Sequence, residues 1–286
     1  RGGEERLREA EDLLRRAVAL APGSAIHANN LGLVLKQKGD LAEAERMYRK
    51  ALEAQPDHAH ALGNLGGLLR ERGGKERLRE AEDLLRRAVA LAPGSAIHAN
   101  NLGLVLKQKG DLAEAERMYR KALEAQPDHA HALGNLGGLL RERGGEERLR
   151  EAEDLLRRAV ALAPGSAIHA NNLGLVLKQK GDLAEAERMY RKALEAQPDH
   201  AHAQGNLGGL LRERGGEERL REAEDLLRRA VALAPGSAIH ANNLGSVLAA
   251  KGDLAEAERM YRKALELDPN YTTAKNNLKN LLAAKK

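Results

Sequence analysis

Apolar residues recur along this chain at the three- and four-residue spacing that places side chains on one face of an α-helix. Leu31, Val34 and Leu35 form one such stripe, and residues 41–54 form a second, which Pro56 ends. The pattern predicts two helices joined by a tight turn. Because neither helix could bury its stripe alone, we expect the helix pairs to stack on one another.

Short polar residues mark the predicted helix starts. Ser24 precedes the first helix and Asp40 precedes the second, and each has a side-chain oxygen that can accept a hydrogen bond from a free backbone N–H group. In the alternate pair we expect Asp57 to act as the cap. That pair has three extra residues after its double glycine, at positions 75–77, and we expect them to lengthen the turn between its helices.

The whole pattern repeats with a period of 71 residues. The later copies begin at Arg72, Arg143 and Arg214. Two substitutions separate the copies up to residue 245: Lys75 stands in place of Glu4, and Gln204 in place of Leu62. Within each copy a weaker similarity divides the 71 residues into 34 and 37. Such near-identity indicates that one unit was duplicated, by design or by recent amplification.

Small and apolar residues occupy a fixed set of positions in the first 34-residue unit, and the set recurs along nearly the whole chain. Its members are Leu31-Gly32, Leu35, Gly39, Ala44, Tyr48, Ala51 and Pro56. The set resembles the tetratricopeptide repeat (TPR) family. The resemblance implies an all-α fold, a TPR-type alpha-solenoid, in which stacked helix–turn–helix pairs form a right-handed superhelix and the first helices line a concave groove. The chain departs from the family where the family favours tryptophan, since Ala28 or Leu62 stands there.

The TPR register places an orphan second helix of a truncated repeat within residues 1–24, then seven units, then a cap helix at 272–286. The units are 25–58, 59–95, 96–129, 130–166, 167–200, 201–237 and 238–271. Lys279 stands in the cap where each repeat has glycine, so we expect a solvated end there. The orphan helix, expected from about Leu7 to Ala21, keeps the interior sequence, so we expect it to expose an apolar face.

Composition limits the chemistry. Cysteine, tryptophan and phenylalanine are absent, which excludes thiol chemistry and nearly excludes base-stacking platforms and aromatic cages. The serine at the start of each copy's first helix has a sufficient role as a cap, and no phosphate-binding motif is present. His58 and His60 are two residues apart, which places them on different sides of a helix. We therefore expect a protein that is not an enzyme and has no cofactor or metal.

Length of apolar runs and net charge bear on location and partners. No apolar run approaches the ~20 residues of a membrane-spanning helix, and no secretory signal is present, so we expect a cytoplasmic protein without a membrane partner. The chain starts at arginine, which we interpret as a fragment or a processed product. The net charge of +5 is too small for this length to argue for a nucleic-acid partner.

Asparagine precedes the Leu-Gly pair of every unit. The series is Asn30, Asn64, Asn101, Asn135, Asn172, Asn206 and Asn243, and Asn277 continues it in the cap. Asparagine is a poor helix former, so its recurrence at one position needs a reason. Its amide can both donate to and accept from a peptide backbone, and the TPR resemblance implies that this position faces the groove. Alternatively, each asparagine bonds its neighbour across successive first helices.

A positively charged side chain follows six residues after most of these asparagines. The set is Lys36, Arg70, Lys107, Arg141, Lys178 and Arg212, which we expect at the far edge of the groove. Carboxylate-clamp TPR modules use a lysine where this chain has Asn29 or Gly63, so that specificity is not assigned. For Gly63 and Gly67 we favour a packing role, beside Leu33 of the preceding helix, over access for a ligand.

Three functions from different classes remain open. We favour an interaction scaffold whose groove binds an extended peptide or protein segment. The second is self-assembly, as a homodimer through the orphan helix or head-to-tail, with Lys279 arguing against tight head-to-tail stacking. The third is single-stranded RNA binding, which the missing aromatic residues and the modest charge make a minor hypothesis.

Overall fold

The computed structural model describes residues 2–284, and this range contains sixteen α-helices and no strand. The helices are α1 Gly2–Leu20, α2 Ala25–Gln37, α3 Leu41–Ala54, α4 Ala59–Arg72, α5 Lys75–Leu91, α6 Ala96–Lys109, α7 Leu112–Ala125, α8 Ala130–Arg143, α9 Glu146–Leu162, α10 Ala167–Lys180, α11 Leu183–Ala196, α12 Ala201–Arg214, α13 Glu217–Leu233, α14 Ala238–Ala250, α15 Leu254–Leu267 and α16 Thr272–Ala284. The all-α prediction is confirmed. Lys285 and Lys286, the last residues of the predicted cap, lie outside the described range.

Even-numbered helices are called A helices below, and odd-numbered ones B helices. None of the described helices combines the length and the apolar character that crossing a membrane requires. The helices group into two compact units, Arg1–Leu139 and Leu140–Lys286. The cytoplasmic location and the division into seven repeats stay predictions.

Two kinds of side chain cap the A helices. The Ser24 hydroxyl accepts a hydrogen bond from the backbone N–H three residues later, at 3.3 Å. The prediction that Asp57 caps α4 is wrong, because the cap is His58, whose Nδ1 accepts the backbone N–H of Ala61 at 3.1 Å. The extended cap conformation falls on His58, one residue later than expected, so the imidazole meets the free N–H group.

The turn before α5 consists of two glycines. Gly73 and Gly74 have φ values of 65° and 93°, a left-handed region that favours glycine, so the chain reverses within two residues. Helix α5 therefore begins at Lys75 and has 17 residues, against 14 in α3. The expectation that residues 75–77 lengthen the turn is wrong, since they lengthen the helix.

A and B helices of a pair cross closely at a glycine. A Cβ atom on Gly32 would lie 2.5 Å from Cε1 of Tyr48, whose side chain is fully buried. In the next pair, a Cβ atom on Gly66 would lie 2.6 Å from Cγ of Leu85. The glycine thus lets the large side chain of the B helix lie against the A-helix backbone, and this contact forms the core of each pair.

Successive B helices within a unit are joined by arginine–glutamate pairs, called the B-helix ladder below. Both terminal guanidinium nitrogens donate to one carboxylate, at 2.6–3.2 Å. The pairs are Arg15–Glu43, Arg49–Glu80 and Arg86–Glu114 in the first unit, and Arg157–Glu185, Arg191–Glu222 and Arg228–Glu256 in the second. The same pair therefore recurs at each of these steps.

Candidate peptide-binding face

One side of α6 exposes an apolar–amide–apolar stripe. Ile97, Asn101 and Leu104 are spaced by four and three residues, which places them on the same side of the helix. Ile97 is 59% exposed, and the other two are partly exposed. The matching isoleucines of α2, α10 and α14 are 60%, 60% and 58% exposed. Within each unit, these stripes, together with the residues between them on the other A helices of that unit, are called the A-helix face below.

Helix α4 carries smaller or polar residues at the corresponding positions, namely His60, Asn64 and Gly67. A Cβ atom on Gly67 would lie 3.6 Å from Nδ2 of Asn101, so the α6 amide lies over the α4 glycine. In the second unit the corresponding distance from Gly209 to an asparagine Nδ2 is 3.7 Å. The A-helix face therefore alternates between helices with apolar bulk and helices without it.

The asparagine of each α4-type helix bonds to the preceding A helix. Nδ2 of Asn64 donates to Oδ1 of Asn29 at 2.9 Å. The same 2.9 Å bond joins Asn135 to Asn100, Asn206 to Asn171 and Asn277 to Asn242. Asn29 is 5% exposed, so this bond satisfies a buried acceptor. Neighbouring helices thus share a side-chain bond, but its acceptor is the first residue of the Asn-Asn doublet, which sequence reasoning passed over.

The other half of the asparagine series keeps its amide donors open. Asn101 and Asn172 make no hydrogen bond with any residue that the structure describes. Asn30 and Asn243 accept one long bond each, at 3.4 Å, from the asparagine before them. Within residues 2–284, the Nδ2 groups of these four side chains therefore have no protein acceptor.

Carboxylates offset the positive charges that were expected at the edge of the face. Nζ of Lys36 lies 2.8 Å from Oε1 of Glu71, on the next A helix. The corresponding Lys178–Glu213 distance is 2.7 Å. Arginines lie near the same or an equivalent carboxylate: Arg70–Glu71 at 3.6 Å, Arg141–Glu142 at 3.7 Å and Arg212–Glu213 at 4.0 Å. Lys107 is partly exposed at the matching place in α6. The edge is thus far less cationic than the sequence suggested.

The other glycine of α4 receives a histidine. A Cβ atom on Gly63 would lie 2.5 Å from Cδ2 of His98, whose side chain is 4% exposed. In the second unit, a Cβ atom on Gly205 would lie 2.5 Å from the ring of His240. The packing role predicted for Gly63 is therefore confirmed, but Leu33 as its neighbour is wrong. The imidazole enters from the following helix, and Leu33 stays 38% exposed.

One buried polar group that the sequence does not reveal is the hydroxyl of Tyr48. The Tyr48 hydroxyl has no partner among the described residues, and burial, with the Glu71 carboxylate adding, raises its pKa to about 12. In the last pair, Tyr261 instead donates to the hydroxyl of Ser246 at 3.3 Å. Ser246 stands where the earlier copies have leucine, so that substitution supplies the missing acceptor.

Gln204, which stands in place of Leu62, is 3% exposed. Its Nε2 donates to the carbonyl of Pro198 at 2.7 Å, and its Oε1 is buried without a partner in the described part of the chain. Leu62 and Leu133, at the same position, are fully buried. No group of three or more His, Cys, Asp or Glu residues within the described range is arranged to hold a metal ion.

Family comparison agrees with this architecture. The tetratricopeptide repeat family matches residues 23–94, 94–165 and 165–236, and again residues 241–271. This chain belongs to the tetratricopeptide repeat family. Its sixteen described helices, packed as successive pairs, form a TPR-type alpha-solenoid. TPR proteins are generally protein-interaction scaffolds.

Several solved structures are similar. A chain of the APC/C hetero-tetramer Cut9-Hcn1 has a TM-score of 0.80 at 17% identity, over 96% of this TPR chain and 52% of that chain. Pseudomonas aeruginosa PilF has a TM-score of 0.65 at 23% identity, over 80% and 97%. YrrB, described as a TPR protein with an unusual peptide-binding site, has a TM-score of 0.50 at 25% identity, over 68% and 97%. This chain spans about half the length of the Cut9-Hcn1 chain. No curated protein matches its sequence.

Proposed function

We propose that the A-helix face binds an extended peptide or protein segment. The supporting observation is a pair of open amide donors in each unit, Asn30 and Asn101 in the first and Asn172 and Asn243 in the second, each flanked by an exposed isoleucine on its own helix. An asparagine amide pairs with backbone groups whatever the peptide sequence. In an extended peptide, side chains alternate in direction, so one set can contact the isoleucines while the backbone meets the amides.

The charges at the edge of the A-helix face limit which ligand charge is favoured. Because Lys36 and Lys178 are already paired with Glu71 and Glu213, an acidic ligand gains little there and must compete with those carboxylates. Exposed Ile97 and Leu104 instead favour apolar ligand side chains. The proposed ligand is therefore an uncharged, partly apolar extended segment. YrrB is described as a TPR protein with an unusual peptide-binding site, which supports a peptide as the ligand.

The test compares two quadruple variants. The first combines Asn30→Ala, Asn101→Ala, Asn172→Ala and Asn243→Ala. The control combines Arg46→Ala, Arg117→Ala, Arg188→Ala and Arg259→Ala, which changes one B-helix side chain per copy, each about 70% exposed. Binding of short fluorescent peptides that alternate apolar and polar residues is measured by anisotropy, with an acidic peptide set as a comparison.

We expect the asparagine variant to bind at least about tenfold more weakly than the parent, since each lost hydrogen bond contributes about 1 kcal/mol. The arginine variant should bind as the parent does, and the acidic set more weakly than the uncharged set. Equal affinity in the asparagine variant and the parent, or no binding of either peptide set, contradicts the proposal.

We infer a second candidate function, self-association through α1. In α5 the residues Ala81, Leu85 and Ala88 are fully buried beneath α4, where Gly66 allows the close contact. Helix α1 carries the same residues, but they are only partly buried, and Leu13 beside them is 58% exposed. An apolar helix face of this kind is a common protein contact, and two α1 faces can cover one another in a homodimer.

Head-to-tail stacking is a weaker form of this candidate. A B helix lies against an A helix at a glycine, and the cap helix has Lys279 at that position. A side chain as large as lysine leaves no room there for a leucine that packs as Leu85 does against Gly66. We therefore place any association at α1 alone.

Light scattering across a concentration series tests the dimer. The parent mass should double as the concentration rises, while a Leu14→Lys variant should stay monomeric. Leu91→Lys, at a leucine 46% exposed on α5, is the matched control and should associate as the parent does. A parent that stays monomeric throughout, or a Leu14→Lys variant that dimerises normally, removes this candidate.

We also propose that the copies arose from one 71-residue unit, by design or by recent amplification. Two substitutions across the copies up to residue 245 support this origin. The coding DNA tests it: copies of recent origin share synonymous codons, and a designed gene shows codon choices fitted to a host. Extensive synonymous divergence typical of ancient repeats contradicts both.

A further inference from the structure

Histidine caps α4 and its copies, whereas serine caps α2, α6, α10 and α14. Nδ1 of His58 accepts the N–H of Ala61 at 3.1 Å, and the caps His129 and His200 make the same bond at 3.1 Å. Imidazole can accept a hydrogen bond at Nδ1 only while that nitrogen carries no proton. These caps therefore exist only in the neutral form of the side chain, unlike the serine caps.

Two more imidazoles lie close to the start of α4, His60 on α4 itself and His98 on α6. The His60 ring is 6.2 Å from the ring of His58 and 5.7 Å from that of His98. His98 is 4% exposed, lies against Gly63, and has an Nδ1 that is buried without a partner in the described range. The second unit repeats the arrangement with His200, His202 and His240, at 6.2 and 5.6 Å.

The charged groups around the first cluster do not favour an added proton. From α5, Arg87 donates to the carbonyl of Pro56 at 2.8 Å and to Asp57 at 3.3 Å, so the carboxylate beside the cap is already engaged by a cation. Also from α5, the Ala88 carbonyl faces His98 and alone favours its charged form. The positive end of the α4 dipole acts against a charge on His58.

Burial is the largest cause of lowered pKa values in both clusters, and repulsion from the neighbouring ring is the next. Both act on His58 and His98 in the first unit and on His200 and His240 in the second. The ordinary pKa of histidine is about 6.5. A folded-state pKa below that value means that an opened helix start takes up a proton first. The stabilisation is therefore complete above pH ~6.5 and is lost as the pH falls from there through the folded-state pKa.

We propose that the histidine-capped start of α4-type helices is a pH switch. In mildly acidic solution, the first turn of the helix opens and its contact with the next A helix is lost. One protonation removes the cap bond, and a second places a charge in the contact between His98 and Gly63. Because His58, His129 and His200 make the same cap bond in the first three copies, several helix starts loosen over the same pH range.

The test is a triple variant, His58→Asn, His129→Asn and His200→Asn. Asparagine is a strong helix cap that does not titrate, so it keeps the bond at low pH. The midpoint of thermal unfolding is measured by circular dichroism at about pH 7.5 and about pH 5.5, a window in which histidine titrates and carboxylates do not. We expect the parent midpoint to fall by about 5 °C or more, and that of the triple variant by about half as much or less.

His27→Asn is the matched control, because His27 is the counterpart of His98 on α2 and no histidine-capped helix in the described range precedes it. It should show the same fall as the parent. A parent midpoint that does not change between the two pH values, or an equal fall in the parent and the triple variant, overturns the proposal.

Discussion

The B-helix ladder and the A-helix face repeat with different periods. At each described step of the ladder, the same arginine–glutamate pair recurs from one B helix to the next. On the A-helix face, as far as α12, helices with Ile-Asn-Leu stripes alternate with helices that carry histidine, asparagine and glycine. The ladder can therefore join helix pairs of either kind, whereas the contacts on the A-helix face differ between the two kinds of pair.

The difference separates two tasks. Exposed ion pairs of long side chains tolerate small shifts and contribute little each, so they can be uniform. Close backbone contacts at Gly63 depend on the residue that faces them, so they tie one kind of helix to the next.

The largest effect should come from Gly63→Ala, with Gly67→Ala in the same helix as its control. A Cβ atom at position 63 would lie 2.5 Å from the buried His98 ring, whereas one at position 67 would lie 3.6 Å from Asn101. We expect Gly63→Ala to lower the free energy of unfolding by about 2 kcal/mol through overpacking. Gly67→Ala should raise it by about 0.5 kcal/mol through helix propensity. Urea unfolding measures both, and equal effects would show that the two glycines do not differ.

Gln204→Leu should make the third copy match the first and stabilise the protein by about 1 kcal/mol. It removes the buried, unpartnered Oε1, and the lost bond to the Pro198 carbonyl offsets part of the gain. The reverse change, Leu133→Gln, should destabilise the second copy. Urea midpoints compare the two variants, and a destabilised Gln204→Leu variant would mean that the Pro198 bond outweighs the buried acceptor.

Asn64→Ala and Asn101→Ala should differ by about 1 kcal/mol, although both change the same position of the repeat. Asn64 satisfies the buried Oδ1 of Asn29, so its removal leaves that acceptor unpaired. Asn101 has no partner in the described residues, and alanine is a better helix former, so its removal should be neutral or slightly stabilising. Thermal unfolding of both variants checks this, and a loss in Asn101→Ala would assign that amide a structural role.

The smallest effect should come from the ladder. Hydrogen bonds from Arg86 lower the pKa of Glu114 from 4.5 to about 2. A lowered carboxylate pKa means that the pair stabilises the fold fully above pH ~4.5 and loses this contribution as the pH falls from there to about 2. At neutral pH, Glu114→Gln should cost about 0.5 kcal/mol, and less at high salt. Urea midpoints at low and high salt measure this, and a cost above that of Gly63→Ala would reverse the comparison.

Spacing was enough to predict the helix pairs, and the residues of one repeat carried the resemblance to the family, because both depend on a single repeat. The cap of α4 could not be predicted from spacing. Asp57 and His58 are adjacent and both can cap, and the choice depends on which of them takes the extended conformation. Residues 75–77 extend α5 because Gly73 and Gly74 complete the turn alone, which spacing does not reveal.

The A-helix face was predicted only in part, because its bonds join residues about 35 positions apart on separate helices. The asparagine series reads as uniform in sequence, yet only every second member bonds to the preceding helix. The Asn29-Asn30 doublet was the available signal for this division. The glutamates that neutralise Lys36 and Lys178 belong to the other kind of A helix, so no single repeat shows both partners.

The contact between Gly63 and His98 also sets the smallest stretch of sequence that can be inserted or deleted without breaking a contact between A helices. If a helix with Gly63 were followed by a helix without His98, the space beside the glycine would be empty. If a helix with His98 followed a helix with Asn29, the imidazole would clash with the amide side chain. Insertion or loss of one 34- or 37-residue unit breaks one of these contacts, whereas exchange of a whole 71-residue copy preserves both. Recombination that leaves a folded product is thereby confined to steps of two units.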